Sequence, residues 1–192
     1  MYSTFRSAAT LLILFTLLTG AAYPLALTGL TQVILPEQAN GSVIYRDDKV
    51  VGSNLIGQSF ASAVYFHPRP SAAGQNGYDA AASSGSNLGP LSVKLNERIA
   101  ASLTAIKDEN LAPVPADAVT TSSSGLDPHI SLANALRQVE RVAVARGVAA
   151  SQIQRIVDRV AEQPLFGLFG EPQVNVLRIN IALDAELGKK NG

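Results

Sequence analysis

Cysteine is absent from this 192-residue chain, and so is tryptophan. The first absence excludes disulfides, thiolate catalysis and cysteine-bound metals, and it leaves the redox compartment open. The second, with aromatics at only 6% of residues, argues against a platform for stacking bases or sugars. Net charge is missing too. The 15 basic side chains balance 15 acidic ones, so no long-range field draws in nucleic acid or acidic lipid. Neither phosphate-binding motif, Gly-x-x-x-x-Gly-Lys-Ser/Thr or Gly-x-Gly-x-x-Gly, occurs, nor does a Gly-x-Ser-x-Gly nucleophile elbow. There is no internal repeat.

The most telling absence is local. No charged side chain lies between Arg6 and Glu37. Within that stretch Leu11 to Leu18 is nearly pure hydrocarbon, and the apolar run from Ala8 to Val33 exceeds the about 20 residues that a helix needs to cross a bilayer. A buried helix of a globular core would be shorter and would carry a polar stripe. Gly20, Pro24 and Gly29 are tolerated in membrane helices, and Tyr2 and Tyr23 sit where amphipathic rings favour the interface. The run also outlasts the about 7–15 apolar residues of a cleaved leader, so it reads as a retained anchor in contact with membrane lipid. Arg6 precedes it, while Glu37, Asp47 and Asp48 are the first acids after it. The expected plan is a cytoplasmic N-terminus over 1–7, a transmembrane helix over 8–33 and an extracytoplasmic domain over 34–192.

That domain reads as α+β, with about three helices and a small β-sheet. Ser42–Arg46 and Lys49–Gly52 flank Asp47-Asp48 as a hairpin. Leu55 to Gly89 is rich in Gly, Ser, Ala and Asn, and Phe60, Tyr65, Phe66 and Tyr78 within it favour an ordered loop packed on something. Pro90 opens a helix to about Lys107, with Leu91, Leu95, Ile99, Leu103 and Ile106 on a buried face. Ala118–Thr121 suggests a short strand. Ser131 caps a second helix whose inner face carries Leu132, Leu136, Val139 and Ala143, and Gly147 ends it. Ser151 to Gln154 has capping-box form and starts a third, lined by Ile153, Ile156, Val157 and Val160 and stopped by Pro164. Gln173 to Leu183 alternates apolar with polar and is the best strand in the chain.

Chemistry is harder to find. Ser124, Asp127 and His129 lie close in sequence, but a triad is assembled by geometry, and Asp127-Pro128 shaping a turn before the Ser131 cap accounts for them as well. A membrane-tethered exported hydrolase using Ser124 and His129 is the competing reading. His67 and His129 could join Asp79 and Asp127 around a metal, yet no pair has helical i, i+4 spacing. Gly85–Gly89 could offer backbone N–H groups to an anion, and equally a plain helix entry. Arg137, Arg141, Arg146, Arg155 and Arg159 are interleaved with Glu140, Asp158 and Glu162, the pattern of a solvated face. One helix without an intramembrane charge encloses no ion pathway, while Gly20, Ala21, Ala22 and Gly29 give a lateral helix room to approach.

Several stretches do carry a resemblance: Gln38-Ala39-Asn40-Gly41-Ser42, Val51-Gly52-Ser53-Asn54-Leu55-Ile56-Gly57-Gln58, Tyr65-Phe66-His67-Pro68-Arg69-Pro70-Ser71-Ala72, Ser84-Gly85-Ser86-Asn87-Leu88, Ser124-Gly125-Leu126-Asp127-Pro128-His129-Ile130-Ser131, and Gly170-Glu171-Pro172-Gln173-Val174-Asn175-Val176-Leu177. In order and spacing the chain resembles the C subunit of the Kdp potassium-transporting ATPase. The resemblance implies a non-catalytic accessory subunit of a plasma-membrane potassium uptake complex. Its partners would be a channel-like potassium-translocating subunit and a P-type pump subunit whose ATP affinity it raises. ATP and potassium then belong to the complex, and no cofactor or metal is expected on this chain. The irregular loops form the expected docking surface, with Phe66, His67, Arg69, Ser86, Asn87, Asp127 and His129 as its contacts.

Overall fold

The computed structural model describes residues 2–106, 113–164 and 166–190. It divides the chain into two compact units, 1–51 and 52–192.

The first unit is dominated by an apolar helical run over Tyr2–Ile34 in which no residue is buried. At 33 residues it is about 50 Å long. It comprises α1 (Tyr2–Leu17), a π turn (Leu18–Ala22) and α2 (Tyr23–Ile34). The π turn falls where Pro24 requires it. Proline lacks an N–H and its ring clashes with the carbonyl four residues back, so the helix widens one turn earlier and Tyr23 N–H reaches Leu18 C=O. Two hydroxyls in the run are satisfied within the helix: Thr19 Oγ1 donates to Phe15 C=O at 2.7 Å and Thr31 Oγ1 to Leu27 C=O at 3.0 Å. A short α3 (Pro36–Ala39) follows, then β1 (Val43–Arg46) and β2 (Lys49–Ser53), which pair as expected. Asp47 and Asp48 both take positive φ, 52° and 59°, as the tight turn between twisted strands demands.

In the second unit, β3 (His129–Ser131) and β4 (Gln173–Asn175) pair antiparallel, Ile130 opposite Val174. Three helices pack with them: α5 (Leu132–Arg146), α6 (Ala150–Val160) and α7 (Val176–Leu187). Phe66, Ile130, Val142, Ile153, Val157, Val174, Ile179 and Leu183 form the heart of the core. Ser131 Oγ accepts from Asn134 N–H at 3.1 Å and Gly147 closes α5 in the left-handed region at φ 70°, so both expected caps are present.

The α+β class holds, but several sequence expectations fail in detail. Gln173 to Leu183 is strand only as far as Asn175. There the Asn175 side chain accepts from Arg178 N–H at 3.1 Å and nucleates α7, whose buried positions 176, 177, 179, 180, 183 and 184 follow a helical period. The third helix starts from Ala149 with Ser151 inside it, so there is no capping box, and it ends at Val160, before Pro164. The strand expected over Ala118–Thr121 is absent: Ala118 ends a 3₁₀ turn (Ala116–Ala118) and residues 119–121 are not strand. His129, expected in a turn, is the first residue of β3. The helix expected from Pro90 is α4 (Val93–Ala105), N-capped from Ser92, and it buries none of its residues; Lys107 lies outside the described residues. The buried face of α5 is also turned: Leu136 is exposed, while Asn134, Gln138 and Arg146 point inward.

Those inward polar groups explain the long loop. Residues 57–79 contain no helix or strand, so the backbone amides of the loop need partners elsewhere. Asn180 takes Phe66 N–H (2.8 Å) and gives Nδ2–H to Phe66 C=O (3.0 Å). Gln138 does the same for His67, at 2.7 Å and 3.1 Å. Arg141 Nη1 donates to Ala63 and Tyr65 carbonyls, and Arg146 Nε to Val64 C=O at 2.7 Å. Arg146 is itself buried against Asp184 at 2.9 Å, with Tyr65 Oη donating to the same carboxylate. Side-chain amides and guanidinium groups thus replace a missing ladder. The clamp leaves Phe66 fully buried, where its burial contributes about 2 kcal/mol. Phe66 is therefore a core residue, not part of a docking surface.

Candidate functional site

The clamp on residues 66 and 67 aims the next residues outward. Pro68 and Pro70 restrict the backbone on either side of Arg69. Tyr78 Oη donates to Arg69 C=O at 2.5 Å, and Ser71 Oγ donates to Gly125 C=O while accepting from Tyr78 N–H at 2.8 Å. Gly125 is required where it stands: at φ 67°, a Cβ there would lie 2.5 Å from Ser84 C=O and 2.7 Å from Ala73 N. The 69–78 segment and the 122–127 turn are consequently locked side by side.

Arg69 Nη1 meets Asp127 Oδ2 at 2.8 Å. Asp127 Oδ1 accepts from His129 N–H at 3.0 Å, and His129 Nδ1 lies 3.6 Å from the same oxygen. On its other side His129 Nε2 is 3.7 Å from Glu162 Oε2, and Glu162 Oε1 accepts from Arg178 Nη1 at 3.1 Å. Arg178 Nε closes the row on Asn54 Oδ1 at 2.7 Å. The result is a row of polar side chains, Arg69–Asp127–His129–Glu162–Arg178, across the β3–β4 end, half-buried at Arg69, Asp127 and His129 and exposed at Arg178. Burial pushes the Asp127 carboxyl up, but the hydrogen bonds from His129 and the charge and hydrogen bond of Arg69 outweigh it and hold it below the usual carboxylate range. Burial drives the Tyr78 phenol well above its ordinary value, Asp127 adding to the effect and Arg69 opposing it.

Two clefts flank Arg69. One, about 500 Å³, is bordered by Asp117, Asp127, His129 and Ser131; the other, about 330 Å³, by His67, Tyr78, Arg137 and Gln138. The structure therefore brings together four of the expected contacts, His67, Arg69, Asp127 and His129. Ser86 is half-buried and Asn87 exposed at φ 50°; both follow the strip in which Ser84 N–H donates to Ser124 C=O at 2.9 Å, and neither borders these clefts. Sequence reasoning missed Glu162 and Arg178, which join the row only because Glu162 and Gln173 bridge. It also missed Asp117, which accepts from Ser131 N–H, Ser131 Oγ and Asn134 Nδ2.

The Ser124 hydroxyl accepts from Leu126 N–H at 3.1 Å and faces Ser122 Oγ, while the His129 ring is engaged by Asp127 and Glu162. That is a turn, not a nucleophile facing its base. Among the described residues no group of three or more His, Asp or Glu side chains is arranged to hold a metal ion.

Fold and site together define a class: a small α+β unit, following one helix of bilayer length, that presents ion-paired polar clefts. The family model described as "K+-transporting ATPase, c chain" matches residues 5–185, and the chain belongs to that family. It is 55% identical to the potassium-transporting ATPase KdpC subunit of Myxococcus xanthus, over 98% of this chain and 90% of the relative. Against the subunit of the same name from Caulobacter vibrioides strain NA1000 the identity is 56%, over 96% and 94%. For that of Nitratidesulfovibrio vulgaris it is 54%, over 95% and 94%.

Proposed function

We propose that this chain is an accessory subunit of an ATP-driven potassium uptake complex in the plasma membrane, held there by residues 8–33 with its C-terminal unit on the extracytoplasmic side. The observation that carries this reading is the near full-length identity to subunits named for a potassium-transporting ATPase. Its partners are the potassium-translocating subunit and the P-type pump subunit, and its work is to stabilise their assembly. The surface around His67, Arg69, Asp127 and His129, with Ser86 and Asn87 beside it, meets the outer face of the translocating subunit. Hydrogen-bonding groups already ordered by ion pairs lose little entropy on docking. An influence on ATP affinity is then indirect, passed through the assembly, because nucleotide lies across the bilayer from this unit.

Co-purification from membranes followed by potassium-stimulated ATPase assay tests the reading. The chain is expected to travel with large polytopic proteins, and its deletion to abolish most stimulated activity. A complex that assembles and responds to potassium equally well without it overturns the proposal. Protease digestion of right-side-out vesicles checks the orientation: the C-terminal unit should be cut.

A further inference from the structure

Between Glu162 and Glu171 the chain carries no charge: Gln163-Pro164-Leu165-Phe166-Gly167-Leu168-Phe169-Gly170. The base of this segment is stapled by two backbone hydrogen bonds, Glu162 N–H to Gln173 C=O at 2.8 Å and the reverse at 3.1 Å. Towards the tip, Gly167 N–H donates to Pro164 C=O at 2.9 Å. Phe166, Gly167 and Gly170 all adopt left-handed φ, at 55°, 70° and 98°. For a bulky aromatic this region is sterically disfavoured, so Phe166 is held against its local preference. Phe166, Leu168 and Phe169 are 83%, 80% and 68% exposed. A Cβ built on Gly167 or Gly170 would meet nothing within 4 Å. A stapled finger thus holds three large apolar side chains away from the rest of its own chain, and a contiguous exposed patch of this kind marks an interaction site.

We propose that the finger tip, residues 166–170, is the apolar anchor of a subunit interface, inserting into a hydrophobic cavity with a basic or hydrogen-bond-donating rim on another protein subunit of the same ATPase. This rests on the reading above, that the chain works within a complex. Charge selects protein over lipid. Loops and helices that settle into bilayers pair apolar residues with Lys or Arg that meet anionic headgroups. Here the flanks are Glu162 and Glu171, and the nearby cation Arg178 is turned onto Glu162. Glu171 stays exposed at the rim, complementary to a basic partner surface. Rigid aromatic tips seated in desolvated pockets carry a disproportionate share of interface affinity, and pre-ordering lowers the cost of docking.

The test uses the whole complex, co-expressed and purified in detergent through a tag on another subunit. The triple variant Phe166→Ser/Leu168→Ser/Phe169→Ser should be retained about tenfold less than the wild-type chain or lower, with its own thermal unfolding unchanged. Leu168→Ser alone should give a smaller loss in the same direction, and Glu171→Lys should weaken retention most at low salt. A photo-crosslinking residue at position 169 should join this chain to another protein subunit. Undiminished retention of the triple variant overturns the finger proposal while leaving the proposed function standing; failure of the wild-type chain to co-purify overturns both. Crosslinking solely to lipid, or quenching of a probe at position 169 by brominated phosphatidylglycerol vesicles in the assembled complex, would identify a membrane contact instead and overturn it too.

Discussion

Residues 57–79 form neither helix nor strand, yet Val64, Phe66 and Ala73 are buried in them; α4 is thirteen residues of regular helix and buries none. The contrast separates two ideas that are often joined, regular backbone and structural importance. A helix satisfies its interior amides by itself and so can lie in water. An irregular segment entering a core must borrow partners, because each buried N–H or C=O left alone costs about 1–3 kcal/mol. In this chain the lenders are Asn180, Gln138, Arg141 and Arg146, between 71 and 114 positions away for the two amide clamps. The loop thereby becomes part of the core, and its outer residues, Arg69 above all, inherit a fixed position.

The comparison breaks most visibly at Asn180. Replacement by Leu keeps the volume but strands both polar groups of Phe66, and should lower the unfolding free energy of the full-length chain in detergent by about 3 kcal/mol. A loss below about 1 kcal/mol in denaturant titration would show that the clamp is dispensable. A smaller effect is expected at Asp127, whose carboxyl is held below its unfolded value. The stability it contributes is present in full above about pH 4 and disappears as pH falls through the folded value. Asp127→Asn should therefore flatten the acid limb of the stability profile and lower stability at pH 7, whereas wild type and variant should converge at low pH. Parallel acid limbs would contradict this. The smallest effect belongs to α4: Val93→Ser should change stability by no more than about 0.5 kcal/mol, since the side chain is exposed. A melting curve shifted as far as that of the Asn180 variant would mean that α4 is packed after all.

How much of this was legible beforehand follows the same division. Most caps and turns read well, because they depend on neighbours in sequence: Ser131, Gly147 and the Asp47-Asp48 turn behave as expected, while the capping box expected at Ser151 is absent. Polarity at buried positions read badly. Asn175 and Asn180 look like polar positions of an alternating strand, when one caps α7 and the other faces inward to hold Phe66. Gln138 and Arg146 look like the wet side of α5 for the same reason. Their partners are backbone atoms of a distant loop, which no local period reports. At the site, Arg69, Asp127 and His129 were recognisable within their family stretches, but the salt-bridge row needed Glu162 and Arg178, joined only by the β4 pairing. Phe66, expected among the docking contacts, is buried instead, because an aromatic in a loop gives no sign in sequence of the Asn180 amide that holds its backbone.

The widened turn at Leu18–Ala22 has a consequence for any helix that packs beside it. Each residue of a π turn advances the helix by less angle than an α residue does, so five of them offset the register by roughly a quarter turn. Side chains of Tyr23–Ile34 consequently face a different quadrant from the one that a straight projection of Tyr2–Leu17 would assign. A helix lying alongside meets two stripes rather than one, with Gly20, Ala21 and Ala22 at the seam between them.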